Sequence, residues 1–210
     1  MWTPERVLAI SAHADDAELG AGGTLARWAR EGSEIFHIIF STLKQSELRS
    51  SEICKANEAL GIDKNNIVLY DYPNRRFAEY RQDILQILSD AKFFKYDVED
   101  DKKSYIVLTH CSTDTHQDHE VVYKESVRAF RNCTLLGYED PWNMYKFDSR
   151  LSVHLSKEDL LAKCNSIAAH KSQSHRPFMD KNFIVGMTVT NGMRMRQKYA
   201  ENFEVIRWIL

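Results

Sequence analysis

The feature that most constrains this chain is a hydrophobic period that keeps switching. Short apolar runs rich in β-branched and aromatic residues span 6–11, 34–41, 66–70, 105–109 and 134–138. Between them lie stretches of helical period at about 22–30, 47–60, 81–94 and 120–131. Strands separated by whole helices cannot pair as hairpins. They predict parallel strands joined by crossover helices that cover both faces of the sheet. The expected fold is therefore α/β, a doubly wound, mostly parallel, Rossmann-like sheet of order 3-2-1-4-5. Beyond it a strand at 151–155 is followed by Ser156-Lys157-Glu158-Asp159, a capping-box pattern that opens a helix to about His170. A last helix within 182–199 and a strand over 203–210 complete a C-terminal β/α extension. No repeat, low-complexity tract or linker interrupts the 210 residues, so one domain, 1–210, is expected.

Composition serves here to exclude. The net charge of -2 gives no sign of a nucleic-acid or membrane surface. No stretch approaches the ~20 apolar residues needed to cross a bilayer. The first strand begins near Arg6, which leaves no room for a signal peptide, so a cytoplasmic location is the expectation. Cys54, Cys111, Cys133 and Cys164 show no CxxC spacing and read as reduced, mostly buried thiols. The expected partner is a small molecule, with a homo-oligomer possible. Thr42 to Gln45 and the charge cluster Asp97 to Lys103 read as loops, and His37, inside a strand, as a core or edge histidine.

In the order 3-2-1-4-5, strand one lies beside strand four, and ligands bind in the crevice at that switch point. The loop after strand one reads Ser11-Ala12-His13-Ala14-Asp15-Asp16-Ala17-Glu18-Leu19-Gly20. The loop after strand four reads His110-Cys111-Ser112-Thr113-Asp114-Thr115-His116-Gln117-Asp118-His119. Two His/Asp-rich loops about a hundred residues apart thus converge on one crevice. Imidazole with carboxylate suits a borderline-soft divalent metal such as zinc. Taken alone, the first loop also fits a solvated acidic segment with Asp capping a helix. Gly20-Ala21-Gly22-Gly23 comes too late after the strand, and lacks the GxGxxG spacing, for a dinucleotide loop.

The stretch AHADDAELGAGGTLA resembles the AHPDDxE signature of the PIG-L/LmbE-like zinc-dependent N-deacetylases, and THQDH matches that family's HxDH signature. Arg49-Ser50-Ser51-Glu52, leading to Ala56 and Leu60-Gly61, is similar to its helix after strand two. Ala169-His170-Lys171-Ser172-Gln173 and Tyr199-Ala200-Glu201-Asn202-Phe203-Glu204 are similar to its C-terminal signatures. The resemblance runs in order along nearly the whole chain. Two departures are Ala14, where many members have proline, and PNRRF in place of a Pro-Asp-Gly stretch, which leaves an acidic substrate contact without a counterpart.

The resemblance implies one zinc ion held by His13, Asp16 and His119, with a fourth position for water. It implies Asp15 as general base on zinc-bound water, and His116, as imidazolium, stabilising the oxyanion and protonating the leaving amine. Asp118 is expected to hold a histidine in its tautomer. For His116 and Asp118 plain helix capping is the competing role. The implied reaction removes an N-acetyl group from an N-acetylated amino sugar or sugar conjugate. Alternatives are a zinc amidase acting on a larger acyl or thiol conjugate, and a non-catalytic sugar- or metal-binding protein. Arg49, a cation in the first turn of its helix, is expected either to reach substrate or to form a surface pair with Glu52. Asn74 and Arg75 in the loop Asp71 to Phe77, and Trp142 and Tyr145 opposite, are candidate sugar contacts.

Overall fold

The structure, a computed structural model, describes residues 3–42, 47–91 and 105–209. Most of the Thr42–Gln45 loop and all of the Asp97–Lys103 cluster lie outside them. The strands are β1 (Arg6–His13), β2 (Glu34–Ser41), β3 (Ile67–Leu69), β4 (Tyr105–His110), β5 (Thr134–Tyr138), β6 (Leu151–His154) and β7 (Ala200–Arg207). They form one sheet of order β3-β2-β1-β4-β5-β7-β6. The first five strands are parallel, as the crossover argument requires, and β7 runs antiparallel to both β5 and β6. The helices are α1 (Asp16–Arg30), α2 (Glu47–Ala59), α3 (Arg81–Ser89), α4 (Gln117–Ala129), α5 (Lys157–Ala169) and α6 (Lys181–Arg194).

Strand alternation sorts the core into two layers. Val7 and Ala9 of β1 pack with Ala17, Ala21, Leu25 and Trp28 of α1 on one face. Leu8 and Ile10 pack with Ile84 and Leu88 of α3 and Val122 of α4 on the other. Both faces of the central strands are apolar, the pattern of a parallel sheet covered on each side. Among the described residues no helix is long and apolar enough to cross a membrane.

Two helix starts differ from the sequence expectation, and both bear on the crevice. Helix α1 begins at Asp16, not near Gly22. Its glycines serve close approach to the sheet: a Cβ on Gly20 would stand 2.4 Å from Tyr138 Cδ2, and one on Gly23 2.4 Å from Leu155 Cδ1. Helix α4 begins at Gln117, not Glu120, so Asp118 and His119 lie in its first turn. The C-terminal strand runs over Ala200–Arg207, not 203–210. The expected capping box is present, with the Ser156 side chain accepting from Asp159 N and the Asp159 carboxylate accepting from Ser156 N. His37 is a core histidine with no exposed surface.

Candidate metal centre

Strand β1 ends at His13 and α1 begins at Asp16, so only Ala14 and Asp15 separate strand from helix. Strand β4 ends at His110, and α4 opens after His116. Because β1 and β4 are neighbours, both segments meet at the carboxyl edge. His13, Asp15, Asp16, Asp118 and His119 are all buried there.

The side chains are held from behind. Asp118 Oδ2 lies 3.1 Å from His13 Nε2. The same carboxylate accepts from Arg75 N at 2.6 Å and Phe77 N at 3.2 Å, which ties the 71–77 loop to the site. Asp114 Oδ2 lies 2.7 Å from His119 Nδ1. With those ring nitrogens donating to carboxylates, His13 Nδ1 and His119 Nε2 are the ring atoms left to meet a cation or a proton. These two atoms face each other at 3.1 Å, and Asp16 Oδ2 stands 3.5 Å from each. Ligands around a tetrahedral metal with bonds of about 2.0–2.1 Å are separated by about 3.3–3.4 Å. Two facing lone pairs and a carboxylate repel unless a cation or a proton lies between them, so this buried His/Asp group can bind a metal.

The electrostatics agree. Burial alone lowers the pKa of His13, but the Asp16 carboxylate and the bonds to Asp118 and Asp16 prevail and raise it to about 10. Burial opposes ionisation of Asp16, yet the charges of His119 and His13 hold its pKa far below the usual carboxylate range. Burial, then the Asp16 charge, push Asp15 upward, while His170 and Arg49 pull it back. Asp15 Oδ2 has no hydrogen-bond partner among the described residues.

His116 is the N-cap of α4, its Nδ1 accepting from Asp118 N, so its proton sits on Nε2. Burial first, then the neighbouring His119 and His13, lower its pKa to about 4. Nitrogens of His13, His116 and His119 all lie within 4.8 Å of one another.

Arg49 is buried, not a surface residue. Its Nη1 lies 3.2 Å from Glu52 Oε2 and 3.1 Å from His170 Nδ1, and Glu52 also accepts from Ser172 N and Oγ. The pairing with Glu52 exists, but inside the protein. Asn74 is exposed, one residue before the Arg75 amide that binds Asp118. Tyr145 is fully exposed, and Trp142 stacks on Phe178 at 4.4 Å. Burial raises the Cys111 thiol to about 11, in keeping with a packing role.

Three contributors were not singled out from the sequence. Asp114 fixes His119. His110 stacks on His119 at 3.8 Å and accepts from Ala12 N, and burial lowers its pKa well below the ordinary value. Asp140, fully buried after β5, stands 3.4 Å from His110 Nδ1. The Asp114 position within the second loop was the available signal; for Asp140 it was an Asp-Pro at the carboxyl edge of a parallel strand.

Comparison with known proteins agrees with this geometry. Residues 8–130 match the PIG-L family model, described as GlcNAc-PI de-N-acetylase. An uncharacterized deacetylase, YaiS of Escherichia coli K12, is 30% identical over 171 residues, which are 79% of this chain and 90% of that protein. The conserved protein TT1542 of Thermus thermophilus superposes with a TM-score of 0.77 at 22% identity, over 97% of this chain and 95% of that one. The N,N'-diacetylchitobiose deacetylase of Pyrococcus horikoshii gives 0.72 at 18% identity, over 96% and 84%. With more than half of its length matched by the family model, and both signature loops meeting at one buried centre, this chain belongs to the PIG-L deacetylase family.

Proposed function

We propose that this chain is a zinc-dependent N-deacetylase that removes the acetyl group of an N-acetylated amino sugar or sugar conjugate. The observation that carries the reading is the buried triangle of His13 Nδ1, Asp16 Oδ2 and His119 Nε2, with edges of 3.1, 3.5 and 3.5 Å. Those three residues would hold the ion, since two imidazoles and one carboxylate are the donor set of a catalytic zinc. When bound, zinc supplies a Lewis acid for the amide carbonyl and lowers the pKa of water toward about 7.

The chain's own residues divide the remaining work. Asp15 accepts the proton of the attacking water and returns it to the departing nitrogen; its free Oδ2 and its burial-raised pKa suit a base. His116 donates its Nε2 proton as a hydrogen bond to the oxygen that gains charge. Asp118 and Asp114 keep His13 and His119 in the tautomers that face the ion. Arg49, buried beside His170, acts on the site through the charge it presents to Asp15. Asn74, exposed on the loop that ends on Asp118, is placed to meet the sugar. Support for the substrate class comes from the family model's description and from the relative named for N,N'-diacetylchitobiose.

The test is acetate release from acetamido sugars and their conjugates, with and without a chelator. Release that stops on chelation and returns with zinc supports the reading. A metal-loaded protein that frees no acetate from any of them overturns it.

A further inference from the structure

Ser11, His37 and Asn57 form a hydrogen-bonded chain with no exposed surface. Ser11 Oγ lies 2.8 Å from His37 Nε2, and His37 Nδ1 lies 2.7 Å from Asn57 Oδ1. Asn57 Nδ2 donates to Ile53 O at 2.9 Å, which fixes the amide and leaves Oδ1 as acceptor. His37 therefore carries its proton on Nδ1, and Nε2 accepts the proton of the Ser11 hydroxyl. A lone pair of Ser11 Oγ remains, and it accepts from Ala17 N at 3.2 Å.

Ala17 is the second residue of α1, and its N–H is one that an N-cap side chain normally takes. The N-cap residue of α1 is Asp15, and Asp is among the best capping side chains. Yet Asp15 makes no side-chain cap bond, and its Oδ2 is left without a partner among the described residues. Of the two amides an N-cap side chain takes, that of Ala17 is already occupied from the strand before it, and Asp15, at φ -130° and ψ -7°, makes no bond to that of Glu18 either.

We infer that Ser11, His37 and Asn57 act together as a substitute cap for α1, positioning residues that occupy the Ala17 amide and so leave the Asp15 carboxylate free for the reaction. The inference rests on the reading of Asp15 as the base. It gives a role to His37, which otherwise is one more satisfied core histidine, and to Asn57, which lies on α2 outside the crevice.

The experiment compares Ser11→Ala, Ser11→Thr, Asn57→Leu and Asp15→Asn as zinc-loaded proteins on an acetamido sugar that the wild type deacetylates. Without the Ser11 acceptor, Asp15 should turn onto Ala17 N. The expected result for Ser11→Ala is a fall in kcat of tenfold or more, with KM and zinc content unchanged. Ser11→Thr, which keeps the Oγ, should recover most of it. A crystal structure of Ser11→Ala should place an Asp15 oxygen within hydrogen-bond distance of Ala17 N. Should Ser11→Ala fail to fold, Asn57→Leu unlocks the chain from its far end and is read the same way. A folded, zinc-loaded variant that melts lower but keeps the wild-type kcat overturns the inference, because satisfying core polar groups would then be the chain's whole effect. Full activity in Asp15→Asn would instead overturn the assignment of the base, which keeps the two failures apart.

Discussion

Removing Asp114 should weaken metal binding without removing a ligand. Its Oδ2 takes the Nδ1 proton of His119 at 2.7 Å, and its Oδ1 accepts from His116 N at 2.8 Å. In Asp114→Ala the imidazole of His119 can rotate or change tautomer, and Nε2 then carries a proton in part of the population. Loss of such an outer carboxylate typically costs 10–100-fold in metal affinity. At about 1.4 kcal/mol per tenfold, that is about 1.4–2.8 kcal/mol. The lost acceptor for the His116 amide, at the mouth of α4, resembles loss of a cap and costs a further 0.5–2 kcal/mol or so of stability. For a chain of this size each kcal/mol is roughly 2–4 °C, so Tm should fall by about 1–8 °C. A competition titration against a chromophoric chelator measures the zinc affinity, and a melt of the metal-free protein isolates the cap. An affinity within twofold of wild type would refute the reasoning, since His119 would then need no fixed tautomer.

Asp15→Asn should keep its zinc and lose about a hundredfold or more in kcat, the scale of general-base catalysis, whereas Asp16→Asn should lose zinc itself; elemental analysis beside kinetics separates them, and the reverse pattern would exchange their roles. The raised pKa of His13, about 10, means its proton stabilises the metal-free fold fully below about pH 6.5, and that contribution is lost as pH rises through 10. Zinc must displace that proton, so uptake at pH 7 should release about one proton per ion from His13, read by calorimetry in buffers of different ionisation enthalpy; zero release would mean His13 is already neutral. Lys163→Met leaves the buried Glu201 carboxylate without its cation, a change that typically costs about 3–5 kcal/mol and here should lower Tm by roughly 6–20 °C. A drop under about 2 °C would show the backbone amides of Gly23 and Thr24 to be sufficient partners.

The sheet was legible because its signal is periodic and repeats. Five short apolar runs split by helices leave few topologies, and the order β3-β2-β1-β4-β5 follows. The convergence of the two His/Asp segments followed from topology alone. What was misread depends on packing at a distance. Gly20 and Gly23 look like loop residues until Tyr138 and Leu155 are seen pressed against them. Arg49 looks exposed until His170, 121 positions away, closes over it. Asp140 carries only a weak local pattern, an Asp-Pro after a strand, because its partner His110 sits on another strand.

Strand β7 carries a consequence for how such an enzyme comes into being on the ribosome. Glu201 on one face of that strand accepts from Gly23 N and Thr24 N of α1 and pairs with Lys163. Glu204, on the opposite face, accepts from Ser112 N and Oγ in the segment that leads to Asp114 and His119. One late strand thereby latches both early segments that meet at the metal centre. A nascent chain already holds every member of the triangle by residue 119, yet it must wait some eighty residues more for the latches. During synthesis the metal-binding chemistry is written first and its geometry is secured last, so a chain stalled before β7 would offer the histidines without the clamp that keeps them in register.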